Sequence, residues 1–393
     1  MPKREFDVIV YGATGYTGRL VGEYIQQQYG DSDLKWAMAG RSAKKLDAVA
    51  AEMGIAADIP KIVADSADAD SLIEMAKRAK SIITTVGPYQ LYGTELVRAC
   101  AENGTDYVDL CGEPAWMHDT VREFQAAAEN SGARIVHSCG FDSIPFDLGV
   151  YYTQEKAKAA FGETCPTIRG RVRKMQGKFS GGTAASFMES MKRAGRQPEV
   201  LDWLKDPFTL TPDFEGPRQP HGAKPIEETD LGSWSAPFIM ASINTKNIHR
   251  SNALLGHAYG EDFVYDEMMM TGPGEAGEQM AKGVMQMNAS MGVNPPKPGE
   301  GPTKDERENG FYDVMFVGDT KSGKRIITSV AGDKDPGYGS TSKMIAEAAI
   351  CLARDIDQAD VGGGIYTPAP AMGMALINRL EKNAGLTFKL EQA

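Results

Sequence analysis

Three groups of residues in this 393-residue chain stand where they could do chemistry. The first is a glycine series, Gly12, Gly15 and Gly18, inside the stretch FDVIVYGATGYTG. Gly12 can take a tight turn, Gly15 lets backbone approach a pyrophosphate, and Gly18 lets a helix pack close to the preceding strand. Ala13, Thr14, Tyr16 and Thr17 complete the turn, whose helix N-terminus offers unpaired N–H groups and a partial positive charge to phosphates. The second group lies about 20 residues on, where an NAD-selective chain places an acid for the ribose. Here Arg41 and Ser42 follow Ala39-Gly40, with Lys44 and Lys45 beyond. A guanidinium can stack on adenine and pair with a 2′-phosphate that a carboxylate would repel. NADP(H) is therefore the expected cofactor.

The third group is polar residues at the ends of expected strands. Tyr89 follows Val86-Gly87-Pro88, Glu113 closes Asp109-Leu110-Cys111-Gly112, and Asp142 follows Cys139-Gly140-Phe141. Reducing a polarised double bond takes a hydride at one atom and a proton at its neighbour. Tyr89, Glu113 and Asp142 could each donate that proton, though such residues also cap helices and close turns. Asp65, Val86, Gly87, Pro88, Cys139, Gly140 and Phe141 are expected beside the cofactor, at strand ends. Ser180-Gly181-Gly182-Thr183 opens a second-domain helix that could hold a substrate oxygen. The five histidines show no metal-ligand spacing, and no metal is expected.

These groups need a scaffold. Up to about residue 145 the pattern alternates strand and helix: strands at 6–11, 34–38, 61–64, 81–86, 106–110 and 133–137, with helices between them. That alternation demands a doubly wound parallel sheet, a Rossmann-type NADP-binding domain over 1–145. From 146 to 335 the texture loosens into a mixed α+β substrate domain, with strands expected at 168–179, 262–271, 310–317 and 324–330. This domain would carry any homodimer contact. Loops are expected over 205–229 and 294–309. Residues 336–393 return to helices and are expected to pack back on the first domain.

Composition excludes several function classes. With 42% hydrophobic and 24% charged residues the chain is an ordinary globular protein. A net charge of −11 argues against nucleic-acid binding. Five scattered cysteines fit a reducing cytoplasm better than a disulfide scaffold. No stretch approaches 18 consecutive apolar residues, so no integral membrane span is expected.

YGATGYTG, AGRS, TTVGPY, YVDLCGE, ARIVHSCGFDSIPFDLG and SGGT, in this order and spacing, resemble the saccharopine dehydrogenase-like oxidoreductases. SNAL at 251–254, GYGSTSKMIAEAAICLA at 337–353 and GGGIYTPAPAMGMALINRL at 362–380 resemble the trans-acting enoyl reductase branch of that family. The resemblance implies nicotinamide dependence and reduction of an enoyl group on a small, lipid-like or polyketide-like substrate. Where that branch carries an apolar membrane-seeking segment, 272–297 here holds Glu275, Glu278, Lys282 and Pro295-Pro296. Two alternatives stay open. One is reduction of a C=N or C=O bond on an amino-acid-like substrate, which would want cations such as Arg169, Arg171, Arg173, Lys174 or Arg250. The other is a non-catalytic NADP(H)-binding scaffold. An apolar substrate would need a wall, for which Met268–Met270, Met285–Met291, Phe187, Met188 and Met191 are the candidates.

Overall fold

A computed structural model describes residues 4–178, 181–289 and 301–393. Ser180, Met291 and the Pro295-Pro296 pair lie outside the described residues. The strands are β1 (Phe6–Tyr11), β2 (Trp36–Gly40), β3 (Lys61–Val63), β4 (Ala79–Thr84), β5 (Asp106–Val108), β6 (Arg134–Val136), β7 (Thr167–Gln176), β8 (Ile226–Glu228), β9 (Ser233–Pro237), β10 (Val264–Gly272), β11 (Phe311–Asp319), β12 (Arg325–Gly332), β13 (Gly364–Tyr366) and β14 (Leu386–Gln392). Every residue of β1 and β2 is buried, as apolar runs covered on both faces must be.

The first sheet is wholly parallel, in the order β13-β6-β5-β4-β1-β2-β3. Order reverses between β1 and β4, and the crevice at their carboxyl ends is where a doubly wound sheet holds its ligand. Six strands of this sheet follow the expected alternation. The seventh, β13, comes from the C-terminal region and adds to the edge beside β6. The second sheet runs β14-β12-β11-β7-β10-β9-β8, antiparallel except for the parallel pair β7 and β10.

Two helices join the sheets. Ile144–Phe161 starts at the end of the first sheet and lies on β11 and β12 of the second. Gly149 makes that approach possible, since a Cβ there would sit 2.3 Å from the Phe316 ring. Thr341–Arg354 packs on β1, β4 and β5 and against the helix Tyr16–Tyr29. Its Glu347, fully buried, accepts from the hydroxyls of Tyr24 and Tyr29 at 2.6 Å each and from Arg379 Nε at 2.7 Å. A third helix, Ala241–Leu254, is buried although it is polar on every side. No helix among the described residues is long and apolar enough to cross a membrane.

Arg134 fastens the C-terminal region to the first sheet. Its guanidinium donates to both oxygens of Asp106 and to the carbonyl of Leu352 at 2.8 Å in the interior, and to the half-buried carbonyl of Ile356 at 2.9 Å. Removing one member of such a buried pair strands the other charge, at a cost of about 3–5 kcal/mol. Arg134→Ala is expected to lose that much stability in denaturant titration. A loss below 1 kcal/mol would show that the pair is not a fastening.

Candidate active site

The glycine turn has the steric form that a pyrophosphate requires. Gly12 has φ +87°, and a Cβ on it would lie 2.7 Å from Val86 Cγ2 and 2.8 Å from Thr85 Oγ1. A Cβ on Gly18 would stand 2.2 Å from the Gly12 carbonyl oxygen, so strand and helix touch there. Gly15, between them, is exposed, and the nearest atom to a Cβ on it is the Gly12 oxygen at 3.3 Å. The helix Tyr16–Tyr29 that follows has no side-chain cap, which leaves its first-turn N–H groups facing that opening. Ala13 is buried and donates its N–H to Ala39 O, while Thr14 and Thr17 are half-buried. Tyr16 points away from the turn: its hydroxyl donates to Pro302 O and accepts from Arg307 at 3.0 Å.

At the ends of β2 and β3 stand Arg41, exposed, and Asp65, half-buried. Ser42 caps the helix Ala43–Glu52 by accepting from Lys45 N at 3.4 Å, and the Lys45 side chain is exposed. Asp65 Oδ1 accepts from Ala67 N at 3.0 Å, a turn contact within its own loop. An adenosine bound at these strand ends would meet the exposed Arg41 guanidinium. These residues fit the NADP(H) expected of them.

Tyr89 and Glu113 are held differently from the way a proton donor would be. The Tyr89 hydroxyl is buried, donating to Thr84 O at 3.2 Å and accepting from Leu110 N at 3.0 Å, with its ring stacked on Trp116. Burial and the nearby Asp109 push its pKa far up. Glu113 accepts from the N–H groups of Tyr89 at 2.8 Å and Gln90 at 3.0 Å, and from Ser186. Burial raises this carboxyl, and those donors oppose the rise. Both side chains fasten the turn Val86-Gly87-Pro88, in which Val86 is half-buried, Gly87 exposed and Pro88 buried. The helix Gly181–Arg196 that carries Ser186 also accepts Gln90 Nε2 on Ser190 Oγ at 3.3 Å.

Asp142 is placed otherwise. Cys139, Gly140 and Phe141 before it are buried: Cys139 N donates to Asp109 O, and Phe141 N to Thr341 Oγ1 at 2.9 Å. A Cβ on Gly140 would meet Leu110 at 2.8 Å. Asp142 itself is half-buried, yet its Oδ1 is sealed from solvent with no partner. Burial pushes its carboxyl up to about 7, which brings its titration into the neutral range. Around it stand Asn244 and Asn247 on Ala241–Leu254 and Glu267 on β10, which no motif in the sequence singles out. The signal was faint, since a helix polar on every side has no face to read.

The expected apolar wall does not form one closed pocket. Met268 is buried and Met269, Met270 and Met285 are half-buried, but Met287, Phe187, Met188 and Met191 are exposed, at 63%, 41%, 40% and 46%. The last three make an apolar face on the helix that touches Glu113 and Gln90. The arginines that an amino-acid-like substrate would want are taken. Arg169 pairs with Glu228 and Asp230, Arg171 with Glu228 and Asp266, and Arg173 with Asp313 and Glu391. Arg250 donates to the carbonyls of Leu210 and Ile365. A cavity of about 850 Å³ lined by Arg4, Asp7, Lys35 and Arg354 opens at the amino ends of the strands, away from the glycine turn. Its charges are matched across it, and it belongs to the scaffold.

Residues 8–136 match the saccharopine dehydrogenase NADP binding domain. A trans-acting enoyl reductase of Mycobacterium ulcerans is 37% identical over 404 residues, covering 96% of each chain. One of Mycobacterium tuberculosis is 37% identical over 405 residues with the same coverage. Among solved structures, saccharopine dehydrogenase (L-Glu forming) from Saccharomyces cerevisiae is similar in fold, with a TM-score of 0.52 and 14% identity over 99% of this chain and 100% of that one. Homospermidine synthase from Legionella pneumophila, solved in complex with NAD, reaches 0.53 at 9% identity, covering 99% and 92%.

A charge-assisted phosphate contact is worth about 1.5–3 kcal/mol, or roughly 10- to 150-fold in affinity. Arg41→Ala is expected to weaken NADPH by that factor and NADH hardly at all, measured by fluorescence titration. Equal losses for both cofactors would remove Arg41 from the 2′-phosphate.

Proposed function

The chain belongs to the trans-acting enoyl reductase family, and from that premise we propose that it reduces the C=C bond of an enoyl thioester with a lipid-like or polyketide-like acyl group. It is an NADP-dependent oxidoreductase. NADPH, when bound, supplies a hydride to the carbon β to the thioester carbonyl. The chain must then bring a proton to the α-carbon and hold the acyl group in register.

The observation that carries the proposal is Asp142, a carboxyl without a partner on Oδ1, raised by burial to about 7, in the turn that follows β6. A donor with a pKa near the working pH gives the best product of protonated fraction and acidity. Tyr89 and Glu113 we assign to shaping the turn opposite, because their polar atoms are spent on backbone groups. Substrate then lies between Gly87-Pro88-Tyr89, the turn 139–145 and the start of the helix Gly181–Arg196. Phe187, Met188 and Met191 on that helix offer adaptable apolar surface for an acyl chain. The pairing of Arg169, Arg171, Arg173 and Arg250 favours this over an amino-acid-like substrate, whose carboxylate would find those cations occupied. The described cysteines, all buried and unpaired, fit a cytoplasmic location.

Enoyl thioesters of increasing chain length, offered with NADPH, are expected to give stoichiometric saturated thioester and NADP⁺, with kcat/KM rising with chain length. Asp142→Asn should lower kcat by about 10²- to 10⁴-fold while NADPH affinity stays within a few-fold. No oxidation with any enoyl thioester, or an unchanged kcat in the variant, would reject the reading.

A further inference from the structure

Behind Asp142 lies a buried polar cluster that is short of hydrogens. Glu267, fully buried on β10, accepts from Asn244 Nδ2 at 2.7 Å and from the Tyr265 hydroxyl at 2.9 Å. Tyr265 reaches it across Gly170 on β7, where a Cβ would stand 2.3 Å from the hydroxyl oxygen. One turn along the helix, Asn247 Nδ2 donates to Ser143 Oγ at 2.7 Å, beside Asp142. Both asparagines are fully buried, yet Asn244 Oδ1, Asn247 Oδ1 and Asp142 Oδ1 accept from nothing. A buried acceptor left unmatched costs about 1–3 kcal/mol, and three together ask for an explanation. Protons supply it. Each proton on a carboxyl turns an acceptor into a donor, and the cluster holds two carboxyls.

We propose that Asp142 and Glu267 form a coupled carboxyl pair, in which Glu267 is a positioning residue that keeps a proton available to Asp142 at neutral and mildly alkaline pH. The pair rests on the preceding section only in taking Asp142 as the acid. Burial, with the charge of an ionised Asp142 adding to it, pushes Glu267 up to about 8, so the second proton is held more tightly than the first. The other charged groups nearby are engaged elsewhere. Asp266, next on β10, also raises Glu267 but pairs with Arg171 at 2.9 Å. From Ile144–Phe161, Asp147 accepts from Ser251 and Ala369 N. On the asparagine helix, Lys246 donates to Leu204 O and His249 packs on Phe208. None of them donates a hydrogen bond to Glu267 or Asp142.

The sign is determined. In a coupled pair one proton persists until the second step, so acid function extends upward in pH. With Glu267→Gln that extension is lost, and the alkaline limb of the kcat/KM profile falls at lower pH. The test is infrared titration of the protonated-carboxyl stretch between pH 6 and 9 on the full chain without substrate. Subtracting Asp142→Asn and Glu267→Gln spectra assigns each signal and separates Asp147, which burial also pushes up to about 7. The Glu267 step is expected to move down by about one pH unit or more in Asp142→Asn, and the Asp142 step to move down in Glu267→Gln. Because coupling is reciprocal, either variant decides if the other fails to fold. Steps that stay where they are, or a Glu267 that never titrates in this range, would overturn the pair. If no enoyl thioester is reduced, the assigned function fails and the infrared result still decides the pair. If reduction occurs and the steps are independent, the pair alone fails.

Discussion

Much of the site hangs on one buried carboxyl side chain, Asp109, just beyond β5. Its Oδ1 accepts from Cys111 N at 3.0 Å and Ser138 N at 2.9 Å, and its Oδ2 from the Tyr107 hydroxyl at 2.9 Å, with His137 Nδ1 at 2.7 Å. Four partners on one buried group join the ends of β5 and β6, and a buried acceptor without them would be costly. The turn 139–143 starts from that anchor, and Ser143 N closes it by donating to Ser138 O at 2.8 Å. Asp142 is thereby held out from the sheet while its neighbours stay packed.

The second sheet completes the environment that Asp142 meets. Ile144–Phe161 carries the chain from the turn onto β11 and β12, and Ala241–Leu254 fills the space between with amides in place of apolar side chains. A core built only for stability would put Leu or Ile where Asn244 and Asn247 stand, since burying an amide costs free energy that an apolar side chain does not. Polar groups kept at such a cost are what the proposed proton-handling role of this region would require.

The first sheet was largely legible in the sequence because its signals are local. Apolar β-branched runs, a glycine turn and the absence of a ribose acid each report on a few neighbouring residues. What was hidden depends on tertiary contact. The strand β13 is three residues between glycines and a proline, and it is a strand because the edge of β6 was free to pair. Ile144–Phe161 was obscured by Pro145, which is well tolerated in a first helical turn. Tyr89 and Glu113, expected at strand ends, stand at the starts of the helices Tyr89–Tyr92 and Pro114–Ser131, and which way a hydroxyl or carboxyl turns is set by backbone groups distant in sequence, such as Leu110 N. The methionines were ambiguous for the same reason: Met268 packs inside β10 while Met287 faces out, with nothing in composition to separate them.

The measurement that bears most directly on this account is a crystal structure with NADP⁺ and a saturated acyl thioester bound. The pyrophosphate is expected on the turn Gly12–Gly18, the 2′-phosphate at Arg41, and nicotinamide C4 and the Asp142 carboxyl on adjacent carbons of the acyl group. A nicotinamide ring remote from the turn 139–145, or an acyl α-carbon out of reach of Asp142, would contradict it.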